Sequence, residues 1–497
     1  MQSILVQLPG PRSKRLCGQY LIAVLLLCLF QLSQSQTSNT VTEIRSIQID
    51  SLGNGTSAEA IRQRLIDRLT KNGNLRVVER PAKADIALRG TSNIWPTGVI
   101  SPNPRSHGSR MTNYQGYLSV EAANQSGQVV WSYLVTPSRF HTASITDDLA
   151  DQIAGRLLHA IRAGMPTSTS AGASDTVPSV HLHAAGATLP APLYLKWFES
   201  SGMSVSYDAV GSEAGIRQLT AGKVDFAASD MPLGEEDSAA RPGWVRFPTV
   251  VGGVVPIYNL SSLHGDLKLT PQILVGIYSG TIRKWSDPRI LEVNRGAHLP
   301  DADIAVVHRS DGSGTTFVWT SYLSLISPQW KNSVGSGTGV NWPTGTGATG
   351  SEGVAAMVQK TPNAIGYVAL IYAFQHQLNY AAVRNPAGQF VRANLASITA
   401  AAAGAGTRAD PISILNAAGK SAYPISTLTW LLVPTQDMQP EKRRAIAQLL
   451  SWMLTSGQKQ CASLGYAPLP RELATRERQR ISALPWTDGK EPARDPR

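Results

Sequence analysis

Two hydrophobic periods run along this chain, and the places where one gives way to the other divide it into folded regions. Ile44 to Ile49 alternates apolar and polar positions as a half-buried strand does. Ser57 to Lys71 then repeats at helical spacing, with Ile61, Leu65, Ile66 and Leu69 on one face. Leu75 to Glu79 and Asp85 to Thr91 predict strands. Tyr114 to Ala122 and Val129 to Val135 predict a hairpin turned at Asn124-Gln125-Ser126-Gly127. Asp147 to Arg162 is amphipathic through Leu149, Ile153, Leu157, Leu158 and Ile161, and Asp147 and Asp148 sit where the helix dipole favours negative charge. The order strand, helix, strands, hairpin, helix predicts a small α+β domain over residues 37–164.

Residues 165–179 are rich in Ser, Thr, Pro, Ala and Gly without periodicity, which predicts a flexible linker. From about 180 to 480, short apolar strands alternate with helical patterns, the signature of α/β sheets. Pro440 to Ser456 is a late helix: proline opens it, Ile446, Leu449, Leu450, Met453 and Leu454 supply its apolar positions, and Gly457 follows. The stretch from Arg471 is polar and predicts a peripheral tail. At the other end, Arg12, Lys14 and Arg15 precede a short apolar run, Leu21 to Phe30, and small residues at Ser33-Gln34-Ser35. That layout predicts a secretory signal over residues 1–36, with an uncleaved anchor as the alternative. Leu27 before Cys28 argues against lipidation.

Charge and cysteine content narrow the function classes. The formal net charge is +11, from 45 Lys and Arg against 34 Asp and Glu. Loss of the signal removes three basic and no acidic residues, leaving +8. The basic residues are scattered, with neither a run nor aromatic interleaving, so nucleic acid is not an expected partner. A solvated basic surface that attracts small anions fits better. The leading region is basic through Arg45, Arg62, Arg64, Arg68, Arg76 and Arg80, which reads either as a solvated surface or as a face for an acidic envelope partner. Cleavage would leave Cys461 alone, excluding an internal disulfide or a cysteine metal cluster.

The most informative stretch is Val306 to Phe317. An apolar strand ends at Arg309, and Asp311-Gly312-Ser313-Gly314-Thr315 turns into an apolar helical segment, Phe317 to Ile326. The first N–H groups of such a helix are unpaired, and its dipole favours negative charge there. Ser313 and Thr315 add hydroxyls, and Arg309 adds a permanently charged planar fork. Every group donates toward a compact oxyanion. Three further segments put polar groups at strand ends or helix starts: Ala185 to Pro190, Gly211 to Gly215, and Ala227 to Asp230. Singly, each is an ordinary cap or turn. In open α/β sheets, however, ligands gather beyond the carboxyl ends of strands, so all four can line one crevice. Gly345 to Gly350 matches a dinucleotide fingerprint in form, but it follows Trp342-Pro343-Thr344 and reads as a flexible loop. His181 and His183 share one strand face, where surface histidines without further ligands are the simpler reading.

Together, Ala185 to Pro192, Tyr207 to Gly222, Val224 to Leu233, Arg309 to Phe317, Val340 to Pro343, Ser351 to Ala355 and Ala364 to Tyr367 resemble, in residue type and order, the bacterial periplasmic phosphate-binding proteins that serve phosphate-specific ABC transporters. The likeness spans roughly residues 182–470. It implies an α/β, two-lobed periplasmic-binding-protein fold with a hinge and a central anion cleft, preceded by the small α+β domain. Lobe one would hold about 180–256 and 430–480, and lobe two about 257–429, with the tail from about 471. Thr188 and the N–H of Leu189 would donate to phosphate, as would the hydroxyl and N–H of Ser212. Asp230 would accept the ligand's proton, Arg309 would supply charge steadied by Asp311, and Ser313, Gly314 and Thr315 would complete the shell. Leu189 stands where the family usually has phenylalanine, which a backbone contact tolerates. Glu213 replaces a small residue and is expected to face solvent or a cation. The leading domain resembles the α+β domains of some envelope assembly proteins in architecture only.

The implied partners are inorganic phosphate and a membrane permease, in an extracytoplasmic setting, with no cofactor, metal or catalytic residue called for. A phosphate-ester hydrolase using the same pocket is the alternative, but Ser313 has no base nearby in sequence. A phosphate-responsive envelope interaction protein, acting through residues 37–164, is a third reading.

Overall fold

The computed structural model describes residues 44–73, 75–78, 84–100, 111–137, 145–165, 180–232, 243–263, 265–403, 413–436 and 438–484. The expected signal over 1–36 lies outside them, as does the expected linker apart from Met165.

The leading region builds its own sheet and its own apolar centre. Its elements are β1 (Ser46–Ile49), α1 (Thr56–Gly73), β2 (Arg76–Val77), β3 (Ile86–Ile100), β4 (Met111–Asn124), β5 (Val129–Val135) and α2 (Ile145–Arg162). The sheet order is β2-β1-β3-β4-β5, parallel among the first three and antiparallel thereafter. Ile61, Leu65 and Leu69 of α1 and Leu149, Ile153 and Leu157 of α2 are fully buried with Ile47, Leu118 and Val120 of the sheet. The hairpin turn is held by Asn124, whose Oδ1 accepts from the N–H groups of Ser126 and Gln128. β3 runs well past the expected Thr91, because its ladder with β4 continues through polar Ser92 and Asn93; cross-strand pairing overrides weak patterning there. Part of the basic row is neutralised locally, as Arg64 and Arg68 both reach Asp151 at 3.3 and 2.6 Å.

Beyond residue 180 the chain forms a separate three-stranded sheet and a nine-stranded sheet shared by two lobes. In chain order it comprises β6 (Leu182–Gly186), α3 (Ala191–Ser201), β7 (Val205–Asp208), α4 (Ser212–Thr220), β8 (Phe226–Ser229), β9 (Trp244–Tyr258), β10 (Ala305–Arg309), α5 (Gly314–Ile326), β11 (Thr346–Ala348), α6 (Gly350–Lys360), β12 (Ala364–Ala369), α7 (Leu370–Gln375), β13 (Asn379–Tyr380), β14 (Ser426–Pro434), α8 (Pro440–Met453) and α9 (Arg471–Ala483), with smaller elements between. The strand order is β11-β10-β12-β9-β14-β8-β6-β7, with β13 also on β9. The long strand β9 is the connection between lobes. Its first part pairs with β14 beside lobe one, and its last part, Val254 to Tyr258, pairs with β12 in lobe two. Pro248 lies opposite Trp430 and Val250 opposite Thr429, so Thr249 is the extra residue of a bulge beside the proline. Proline cannot donate to a ladder, and a bulge absorbs the break while re-aiming neighbouring side chains.

Two expectations need correction. Residues 345–350 are not a loose loop: β11 pairs in parallel with β10, and Gly350 opens α6. A three-residue edge strand is too short to carry a readable period. The stretch from Arg471 is not a peripheral tail either. It forms α9, with Leu473 and Ile481 at 0% and 2% exposure, because two apolar residues eight apart share one helical face amid the charges. Leu473→Ala is therefore expected to cost about 2–5 kcal/mol in urea unfolding; a loss below about 0.5 kcal/mol is what a surface tail gives.

Candidate functional site

Four strand ends meet in the cleft, and glycines set how closely. β6 ends at Gly186 with φ 147°, and a Cβ there would lie 2.1 Å from the carbonyl oxygen of Ala228 on β8. Gly211, at φ 92°, precedes α4 and lies against Gly312 in the turn before α5; a Cβ on it would sit 2.6 Å from the Gly312 carbonyl. Such backbone approach admits only glycine. Glu213 N–H donates to the same Gly312 carbonyl at 3.3 Å, so lobe one touches the turn of lobe two directly. The segments singled out in the sequence thus share one crevice.

Arg309 ends β10 with its side chain 1% exposed. Asp311 engages it twice, accepting from Nε at 2.7 Å and from Nη2. The N–H of Gly350 donates to Asp311 at 2.9 Å. Burial would raise the Asp311 carboxyl, but its hydrogen bonds to Arg309 and the guanidinium charge hold it below the usual range. Two of the guanidinium nitrogens are thereby fixed, and Nη1 reaches Thr188 Oγ1 at 3.1 Å and Ser351 Oγ at 3.4 Å. Thr188 and Ser351 hydroxyls bond each other at 2.8 Å.

The loop after β6 is held by its carbonyls. Tyr207 donates to the carbonyl of Ala187 (2.6 Å), Tyr372 to that of Thr188 (2.7 Å) and Tyr466 to that of Leu189 (2.5 Å). With three successive carbonyls tied back, the N–H groups of Thr188 and Leu189 remain free of any acceptor among the described residues. Tyr372 belongs to lobe two, so its bond crosses the cleft. The Leu189 side chain is buried, and a Cβ at Gly252 would lie 2.7 Å from its Cδ2; only its backbone faces the site.

On the other wall, Ser212 opens α4 and is fully buried; its Oγ accepts from Asp230 N–H at 3.3 Å. Asp230, 1% exposed, accepts from Thr429 Oγ1 through Oδ1 at 2.7 Å. Its Oδ2 is enclosed and has no partner among the described residues; neither has Thr315 Oγ1. Gly314 packs against Asp230 and Ser212, and a Cβ on it would lie 2.9 Å from Asp230 Oδ2 and 2.2 Å from Ser212 Oγ. Desolvation pushes the Asp230 carboxyl up to about 7, against the Thr429 hydrogen bond and the Arg309 charge. Ser313 caps α5: its Oγ accepts from Thr316 N–H (3.1 Å), and its own N–H goes to the carbonyl of Thr338 (2.8 Å). Of the donors expected from Ser313, only the hydroxyl hydrogen is left. The N–H groups of Gly314 and Thr315 have no acceptor among the described residues. Glu213 faces away, with Arg217 at 2.6 Å and Thr338 Oγ1 at 2.9 Å.

All the expected residues therefore meet, and the structure adds Ser351, Thr429 and the three tyrosines. Ser351 carried a signal, since it follows the glycine that starts α6. Isolated tyrosines in apolar stretches carry none. His181 and His183 are engaged locally with Ser204, Ser206 and Asp208. Formal charge in the cleft is not in excess: Asp311 offsets Arg309, and Asp230 adds a further acid. Attraction for an anion here must come from aligned donors rather than net charge.

The family model for the PBP superfamily domain matches residues 166–456. The phosphate-binding protein PstS of Xylella fastidiosa (strain Temecula1 / ATCC 700964) is 41% identical over 314 residues, covering 62% of this chain and 86% of that protein. PstS of Pasteurella multocida (strain Pm70) is 41% identical over 315 residues, covering 62% and 91%. The crystal structure of a DING protein aligns with a TM-score of 0.50 at 21% identity, over 60% of this chain and 93% of that one, a likeness of fold.

Gly314→Ala tests the geometry directly. It is expected to weaken oxyanion binding by about 100-fold or more, since the added methyl fills the gap between Ser212 and Asp230 at a cost of several kcal/mol. Calorimetry with phosphate measures this; retention of wild-type affinity contradicts the placement.

Proposed function

Because this chain belongs to the PBP superfamily, and within it to the PstS family of phosphate-binding proteins, we propose that its cleft captures inorganic phosphate and hands it to the membrane permease of an ABC importer. The observation that supports this best is the pair of enclosed, unpartnered groups beside Gly314: Asp230 Oδ2, an acceptor, and Thr315 Oγ1, a donor. Buried polar groups are almost always paired, so an acceptor and a hydroxyl left over beside one gap call for a partner there. A protonated tetrahedral oxyanion satisfies both. Arg309 Nη1, the hydroxyls of Thr188, Ser212, Ser313 and Ser351, and the N–H groups of Leu189, Ser212, Gly314 and Thr315 would supply its donors. The protein is a reversible binder and not an enzyme. Ser313 Oγ is engaged as a helix cap, which suits positioning rather than attack on phosphorus. The basic signal at the start of the chain favours an extracytoplasmic setting.

Selectivity follows from Asp230. An ionised carboxylate only accepts, phosphate near neutral pH still carries a proton for it, and sulfate offers only lone pairs. Two acceptors facing each other in a dry site cost about 1–3 kcal/mol or more. Asp230→Asn is expected to reduce phosphate-over-sulfate selectivity about 10- to 100-fold while changing phosphate affinity less; unchanged selectivity in competition binding removes the role assigned to Asp230. The pH dependence has a defined sign. Asp230 is raised to about 7, so above that pH it is ionised and rejects sulfate, whereas below it the neutral acid can donate. Sulfate should compete better at pH 5.5 than at pH 8, and equal competition at both contradicts this.

Arg309→Ala is expected to weaken phosphate binding about 30-fold or more, because truncating one member of a buried charged pair costs about 2–5 kcal/mol. A loss below tenfold in calorimetry places Arg309 outside the binding shell. Turnover of a chromogenic phosphate ester, with or without divalent metal, would support the hydrolase alternative instead.

A further inference from the structure

One face of β4 lies along both lobes. Gln115, Tyr117, Ser119 and Glu121 alternate with Leu118, Val120 and Ala122, which are buried in the leading region's own centre. The alternate row therefore points the other way. Ser119 Oγ donates to the carbonyl of Ser463 at 2.6 Å. Glu121, 6% exposed, accepts from Lys196 Nζ and from Ser463 Oγ at 2.9 Å. Ser132, paired with Glu121 across the hairpin, donates to the carbonyl of Lys459. These contacts all fall on lobe one. At the other end of the row, Gln115 Oε1 accepts from Arg392 Nη2 at 3.1 Å, and the Tyr117 ring lies 5.6 Å from that of Phe374. Arg392 is itself fixed by Asp266 at 2.6 Å and by the Tyr380 ring at 4.2 Å. This second footing is on lobe two.

The four residues span about 20 Å of extended strand, which cannot stretch. Rotation of the lobes about β9 and β14 must therefore release one footing. The lobe-one footing is a buried, charge-assisted network. Among the described residues, the lobe-two footing is one hydrogen bond and one ring contact, beside a cavity of about 510 Å³ lined by Gln115, Tyr133, Arg156, Phe374 and Arg392. The weaker side gives way first.

We propose that the leading domain is a strut whose β4 row favours the closed arrangement of the lobes and so lengthens the residence of phosphate; this rests on the reading of the cleft as a phosphate site. Ligand held in a closed state leaves only through opening, so affinity scales with the closed fraction. The double variant Gln115→Ala, Tyr117→Ala removes the lobe-two footing without touching the cleft. In the full chain, stopped-flow release of phosphate should quicken about 5- to 50-fold, with association nearly unchanged, and the ligand-free variant should show a larger radius of gyration by small-angle scattering. Release within twofold of wild type overturns the proposal. Should the double variant fail to fold, Gln115→Glu, which gives Arg392 a second charged partner beside Asp266, decides alone: release slowed by more than twofold supports the strut, and release within twofold of wild type or faster overturns it. If the wild-type chain binds no phosphate, the cleft reading fails by itself, and the scattering comparison of the ligand-free proteins still tests the strut.

Discussion

A carboxylate sealed from water with one oxygen unpaired is the constraint on which the rest of this structure turns. Asp230 is 1% exposed, its Oδ1 is satisfied by Thr429, and its Oδ2 is satisfied by nothing among the described residues. Burial raises its proton affinity to near neutrality. Such a group is costly to keep unless it serves recognition. Thr429 on β14 holds Oδ1, Gly314 keeps the space before Oδ2 open, and the first turn of α5 surrounds that space with donors. A site with no net positive charge then selects its guest by counting hydrogens, which charge alone cannot do.

The same economy governs closure. Contacts that join the lobes are made by the residues assigned to the ligand: Arg309 and Ser351 reach Thr188, and Tyr372 holds the Thr188 carbonyl. Glu213 adds a bond from Thr338 of the opposite lobe. Binding and closure therefore draw on one set of groups, and the β4 row of the leading domain adds a second set remote from the ligand. Differential contacts of this kind are what shift a two-state equilibrium.

Much of this was legible in the residues because the chemistry sits at strand ends and helix starts, where glycine, serine and threonine leave a local signature. Arg309, Asp311, Gly314 and Thr315 fall within seven positions, and their roles as donors and support follow from type and order. What stayed hidden depends on long-range packing. Tyr207, Tyr372 and Tyr466 come from three separate segments to fix three successive carbonyls, and no local pattern marks them. β11 is too short to show a period, and α9 hides the buried Leu473 and Ile481 among many charges. The odd-numbered face of β4 reads as solvent-facing by its polarity, although Ser119 and Glu121 on it are footings on another domain.

The most direct test of the central claim is a calorimetric titration of the protein at pH 8 with phosphate, arsenate and sulfate in turn. Phosphate should bind tightly, arsenate should bind because it too carries a proton, and sulfate should give no measurable heat. Sulfate binding as well as phosphate, or phosphate not binding at all, contradicts the account.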